Sequence, residues 1–152
     1  MNGDTSQRPS SRRAHTAFGL TLLTVANAAL FFVAAVLHLG VRIPLGPVTL
    51  RVPEPIPPAT VVEAVIGAGF AAAAVALFVH GRRERQLTRT AYVIGLIGTL
   101  FGLTVALLRG LRGLDIWIHF VMLAGLAGGF VFLFRVSRSS GEQVTPGRGR
   151  AW

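Results

Sequence analysis

"LDIWIHFVMLAGLAGGFVFLF" (114–134) decides how this chain is read. After Asp115 its only ionisable side chain is His119; the rest is aliphatic, aromatic, Met, Ala or Gly. A helix rising ~1.5 Å per residue carries residues 116–134 across a hydrocarbon core of ~30 Å. Working outward, three more apolar runs of similar reach occupy 16–39, 59–79 and 90–108. Lipid offers backbone N–H and C=O groups no partners, so runs that cross it in this way are helices. The expectation is an all-α integral membrane protein: an antiparallel four-helix bundle over 16–135. Basic tails flank it at 1–15 and 136–152, and their Ser, Arg and Gly content predicts disorder.

Composition points the same way. A chain of 152 residues is one domain's worth, and 52% hydrophobic content is too apolar for a soluble domain of that size. The net charge of +9 comes from fifteen basic residues, all Arg, set in short gaps between apolar runs. They form no basic stripe interleaved with aromatics, so the expected partner is the lipid bilayer and not nucleic acid. The same arginines orient the bundle. Arg8, Arg12, Arg13, Arg82, Arg83, Arg85, Arg89, Arg135, Arg138, Arg148 and Arg150 lie on one side, against Arg42, Arg51, Arg109 and Arg112 on the other. Positive charge stays inside, which places both termini in the cytoplasm of a multi-pass protein of the bacterial plasma membrane. The Arg12-Arg13 pair precedes an apolar run that continues past "ANA" (26–28) to Leu39, which reads as an uncleaved first helix.

Absence of cysteine excludes thiolate-ligated metal, iron–sulfur and disulfide chemistry. No nucleophile elbow, phosphate loop or metalloprotease motif supports a conventional soluble enzyme. The one sizeable connection, GVRIPLGPVTLRVPEPIPP (40–58), holds six of the eight prolines. Around Gly46-Pro47 it can form a short hairpin in which Val41, Ile43 and Leu45 face Val52, Leu50 and Val48, an apolar lid over the helix ends. An irregular proline-rich strap is the alternative, because Pro44 lacks a donor and Arg42 would oppose Arg51.

With both termini inside, His38, Glu63, Arg109, Asp115 and His119 all fall near the outer mouth. Each continues a recognisable helix face. His38 leads back to Ala34, Phe31, Asn27 and Thr24, and Glu63 leads on to Gly67, Ala71 and Ala74. Arg109 extends Gly95, Gly98 and Gly102, while Asp115 and His119 lead into Met122 and Leu126 beside Gly125 and Gly129. "GTLFG" (98–102) and "GLAGG" (125–129) are small-xxx-small faces, suited to close packing within the bundle, in a homo-oligomer or against a membrane-complex partner. Ionisable groups within a span are costly towards lipid, so the five residues predict a polar pocket on the outer side. Its chemistry suits several ligands: a metal held by His38, His119 and Glu63, a haem b between the two imidazoles, a quinone head group, or a relayed proton.

Each residue also has an ordinary role. Thr60-Val61-Val62-Glu63 fits a capping box. Asp115 suits a helix N-terminus, and His38 before Gly40 suits a helix end, as His80 does before Gly81. Arg109 and Arg112 can snorkel to phosphates. On this reading the protein is a non-catalytic accessory or assembly subunit of a larger membrane complex.

The runs "IPPATVVEAVIG" (56–67) and "LDIWIHFVML" (114–123) resemble small uncharacterised four-helix bacterial membrane proteins over about 16–134. The resemblance implies the same topology, with Glu63 in helix two and Asp115 and His119 in helix four as recurring positions; it implies no activity. The layout is also similar to the DoxX-like group, in architecture only. Small multidrug transporters share the helix number but carry a working Glu inside the first helix, where this chain has Asn27.

Overall fold

The computed structural model describes residues 8–52, 55–81, 83–111 and 113–141. Four helices and one hairpin follow each other along the chain: α1 (Arg8–His38), β1 (Ile43–Leu45), β2 (Val48–Leu50), α2 (Pro57–Phe78), α3 (Glu84–Leu108) and α4 (Leu114–Gly141). Each helix contains a segment long and apolar enough to cross a membrane. All four exceed the apolar runs that announce them. α1 starts at Arg8, within the tail expected to be disordered, in a stretch that includes helix-favouring Arg and Ala. α4 likewise continues to Gly141 before the described residues end.

Packing is cyclic: α1 meets α2, α2 meets α3, α3 meets α4, and α4 closes on α1. Successive helices run in opposite directions, since His38 late in α1 meets Glu63 early in α2, while Phe31 stacks on Phe70. The reason for four helices lies in their inward faces. α1 buries Leu20, Thr24, Asn27, Phe31, Ala34 and His38, and α4 buries His119, Met122, Leu126, Gly129 and Leu133. Spacings alternate between three and four, the repeat that keeps one seam facing its neighbours. A column of rings ties the four together: Phe31 on Phe70 at 5.5 Å, Phe70 edge-on to Tyr92 at 5.0 Å, and Tyr92 edge-on to Phe130 at 5.8 Å. Outside, Phe18, Leu22, Val65, Phe78, Phe101 and Phe134 are exposed. Helices apolar on all sides suit lipid as the outer solvent.

The small-residue faces are consumed inside this bundle. Gly98 faces Ile66, Gly102 faces His119, Gly125 faces Asn27, and Gly129 takes the Tyr92 ring. The "GTLFG" and "GLAGG" glycines therefore serve the chain's own helices, and nothing in them marks a homo-oligomer.

The connection between α1 and α2 forms the hairpin. Its register pairs Ile43 with Leu50, Pro44 with Thr49 and Leu45 with Val48, as the alternation predicts. Gly46, at φ 60, takes the first turn position, and the ring of Pro47 fixes the second at negative φ. The lid is smaller than expected. Val52 is buried and Ile43 and Leu50 are half-buried, but Leu45 and Val48 at the tip are exposed, so only the base of the hairpin docks. That base is held where the Ile56 N–H donates to the His38 carbonyl at 2.9 Å.

Candidate polar site at the hairpin end

α1 ends in a Schellman motif. The Gly40 N–H donates to Leu37 O, the Val41 N–H to Val36 O, and Gly40 has φ 85. His38 is consequently the last fully helical position, directed inward. α2 starts earlier than its sequence signal suggests: Pro57 and Pro58 open it, with Ile56 as an N-cap that makes no side-chain bond. Glu63 therefore lies almost two turns inside the helix, too deep for the capping box read at Thr60 to Glu63. Its carboxylate instead meets His38, Oε2 to Nδ1, at 2.7 Å, with both residues buried at 7% and 2% exposure. Thr60, one turn before Glu63 on the same face, has a buried hydroxyl without a partner among the described residues.

Two more of the five expected residues can be placed by their surroundings. His119, in the second turn of α4, is buried at 5% exposure with its ring against α3. A Cβ at Gly102 would lie 2.6 Å from its Nε2, so glycine there makes room for the imidazole. Arg109 caps the C-terminus of α3 and is exposed, because the helix unwinds at Gly110 and releases it from the face that holds Gly102. It does not join the buried groups. Asp115 is the second residue of α4, and its side chain lies outside the described residues.

His38 and Glu63 thus meet across the α1–α2 seam, while His119 sits in the α3–α4 seam. The two seams share a level. Ile66 against Gly98 brings Glu63, one turn nearer the hairpin, to the height of Gly102. His38, Glu63 and His119 do not assemble a metal centre: no group of three or more His, Cys, Asp or Glu suited to a metal occurs among the described residues.

A second polar group lies deeper, where the sequence reading singled out Thr24 and Asn27 but missed Tyr92. The Thr24 hydroxyl donates to Leu20 O at 2.7 Å. Its single proton is thereby used, so the Tyr92 hydroxyl, 3.3 Å away, is the donor between the two. Asn27 lies beside the same hydroxyl and donates from Nδ2 to Leu23 O at 2.8 Å. The available signal was that Tyr92 is the chain's sole tyrosine, inside an apolar run where its O–H needs a partner.

Comparison with protein-family models, with curated proteins and with solved structures found no match for this chain.

Proposed function

We propose that this is a multi-pass protein of the bacterial plasma membrane whose working element is the His38–Glu63 pair, a buried site that takes up and releases a proton at the outer surface. The excess of Arg at the end opposite the hairpin supports an outward hairpin and cytoplasmic termini. One observation carries the functional part: an imidazole and a carboxylate at 2.7 Å, both buried, joining two membrane-length helices. A residue that only tied the helices together would not need to be ionisable, and ionisable side chains in a span are kept where charge or protons are handled. Imidazole is the side chain whose ordinary titration falls in the physiological range. Val52, which is buried, and Ile56, whose N–H donates to the His38 carbonyl, lie at the docked base of the hairpin at the same end of the bundle.

The test is nitrogen NMR of histidine-labelled protein in nanodiscs. His38 is expected to change protonation between about pH 5 and pH 8, and Glu63→Gln, which keeps an acceptor but removes the charge, is expected to move that transition. A His38 signal unchanged across the range overturns the reading and leaves the pair as a structural tie, the role an accessory or assembly subunit would require.

A further inference from the structure

The hairpin between α1 and α2 has two unlike faces. In an antiparallel pair, cross-strand partners point to the same side and successive residues to opposite sides. With Ile43 paired to Leu50 and Leu45 to Val48, those four side chains share one face, while Pro44 and Thr49 take the other. Arg42 and Arg51, next along the two strands, continue the face of Pro44 and Thr49 by the same alternation. The apolar face is covered only towards its base: Val52 is buried and Ile43 and Leu50 are half-buried, whereas Leu45 and Val48 at the tip are exposed. Every residue of the other face is exposed, and neither arginine makes an ion pair among the described residues. Like charges opposite each other on a ladder repel, and an anion held between them offsets that repulsion.

The depth of the hairpin identifies what it meets. Trp117, in the first turn of α4, is exposed and packs against Phe120 with ring centroids 6.3 Å apart. A tryptophan exposed at the end of a spanning helix marks the level where hydrocarbon gives way to headgroups. It precedes His119 by two residues, about 3 Å along the axis. His119 rests on Gly102, and Glu63 with His38 stands at that height. α1 ends at His38 and β1 begins five residues later, so the hairpin leaves the bundle at the headgroup level. Three-residue strands at ~3.3 Å per residue reach about 10 Å, against a headgroup layer of about 5–7 Å on each side of the hydrocarbon. Even upright, the hairpin would clear that layer by only about one residue.

We propose that the hairpin is an anchor in the headgroup layer of the outer leaflet, with Leu45 and Val48 seated on the acyl boundary and Arg42 and Arg51 bound to phospholipid phosphate. An interfacial element buries one apolar face and keeps its cations on the other. Guanidinium suits the second role because its planar fork meets phosphate oxygens two at a time. Two arginines on one face favour an anionic phospholipid over a zwitterionic one. The anchor rests on the membrane placement proposed above and not on the proton chemistry of His38 and Glu63.

Nitroxide accessibility tests it, because a chain without cysteine takes the label only where one is introduced. Full-length Leu45→Cys, Thr49→Cys and Ile97→Cys, all at exposed positions, are labelled and placed in vesicles of phosphatidylcholine and phosphatidylglycerol. Collisions with oxygen, which concentrates in lipid, are compared with those of a water-soluble nickel chelate. The oxygen-to-nickel ratio at Leu45 should exceed that at Thr49 at least threefold, and Ile97, midway along α3, should give the highest ratio. Arg42→Gln together with Arg51→Gln should lower the Leu45 ratio at least twofold, and vesicles of phosphatidylcholine alone should lower it in the same way. Equal ratios at Leu45 and Thr49, with a high one at Ile97, overturn the anchor, leave the membrane placement standing and assign the tip to a partner in water. Dipolar broadening between Leu45 labels assigns it to a second copy and overturns the anchor as well. Low ratios at all three positions overturn the membrane placement itself. A Leu45 ratio indifferent to both arginines and to phosphatidylglycerol overturns the phosphate contact.

Discussion

His38 and His80 occupy nearly the same local position, at the C-termini of α1 and α2, and meet opposite fates. At the hairpin end, Gly40 takes the left-handed turn and His38 stays helical, buried against Glu63. At the other end His80 itself adopts φ 51, the only non-glycine at positive φ among the described residues, and it is exposed. There the Gly81 N–H reaches back to Ala76 O, the same six-to-one bond that Val41 makes to Val36. Two helix ends share one backbone motif, yet only one holds a buried polar pair. What separates them is the facing helix: α2 offers His38 a carboxylate. The helix-terminating role expected of His38 is thus correct and incomplete, whereas for His80 it accounts for what is seen.

Substitutions at the two ends can break that comparison. Glu63→Leu strands a buried imidazole and is expected to cost about 3 kcal/mol, read by denaturant unfolding in micelles. Adding His38→Leu should recover most of that loss, and a double variant no more stable than the single one would show that the pair does not act as a unit. Next in size, Gly129→Ala drives a methyl group into the Tyr92 ring and should cost about 2 kcal/mol. Gly69→Ala, where nothing lies within 4 Å, should be neutral or slightly stabilising. Equal effects at the two glycines would contradict the interior packing described for α4.

At the opposite end, His80→Gly relieves a left-handed non-glycine residue and should raise stability by about 1 kcal/mol. Gly40→Ala imposes the same strain at the hairpin end, where its Cβ would also approach Pro55 Cγ at 3.0 Å, and should lower stability by at least as much. Thermal unfolding measures both, and a stabilising Gly40→Ala would sink the equivalence of the two motifs. The smallest change is expected for Thr24→Val, which removes the acceptor for the Tyr92 hydroxyl. Hydrogen bonds between membrane helices average about 0.6 kcal/mol, so its effect should be near the limit of the same measurement.

Much of the site was legible one helix at a time. The line from His38 through Ala34, Phe31, Asn27 and Thr24 is buried as the helical period requires, and so are Gly67, Ala74, Met122 and Leu126. The hairpin register followed from alternation around Gly46-Pro47. Arg109 misled because extending a helix face assumes that the helix continues, and α3 stops at Leu108. Glu63 misled in a different way: its capping motif is a local pattern, but two prolines started the helix earlier and moved the carboxylate into the span.

From the chain alone came the four membrane-length helices, their inward faces and the burial of His38, Glu63 and His119, because length, hydropathy and the 3.6-residue period act within one segment. The tertiary structure alone decided that His38 pairs with Glu63, that His119 rests on Gly102, and that Tyr92 reaches Thr24 across the bundle. Such pairings depend on the register of one helix against another. That register is set by where glycines admit large side chains from the neighbouring helix, and no single segment contains both halves of the fit.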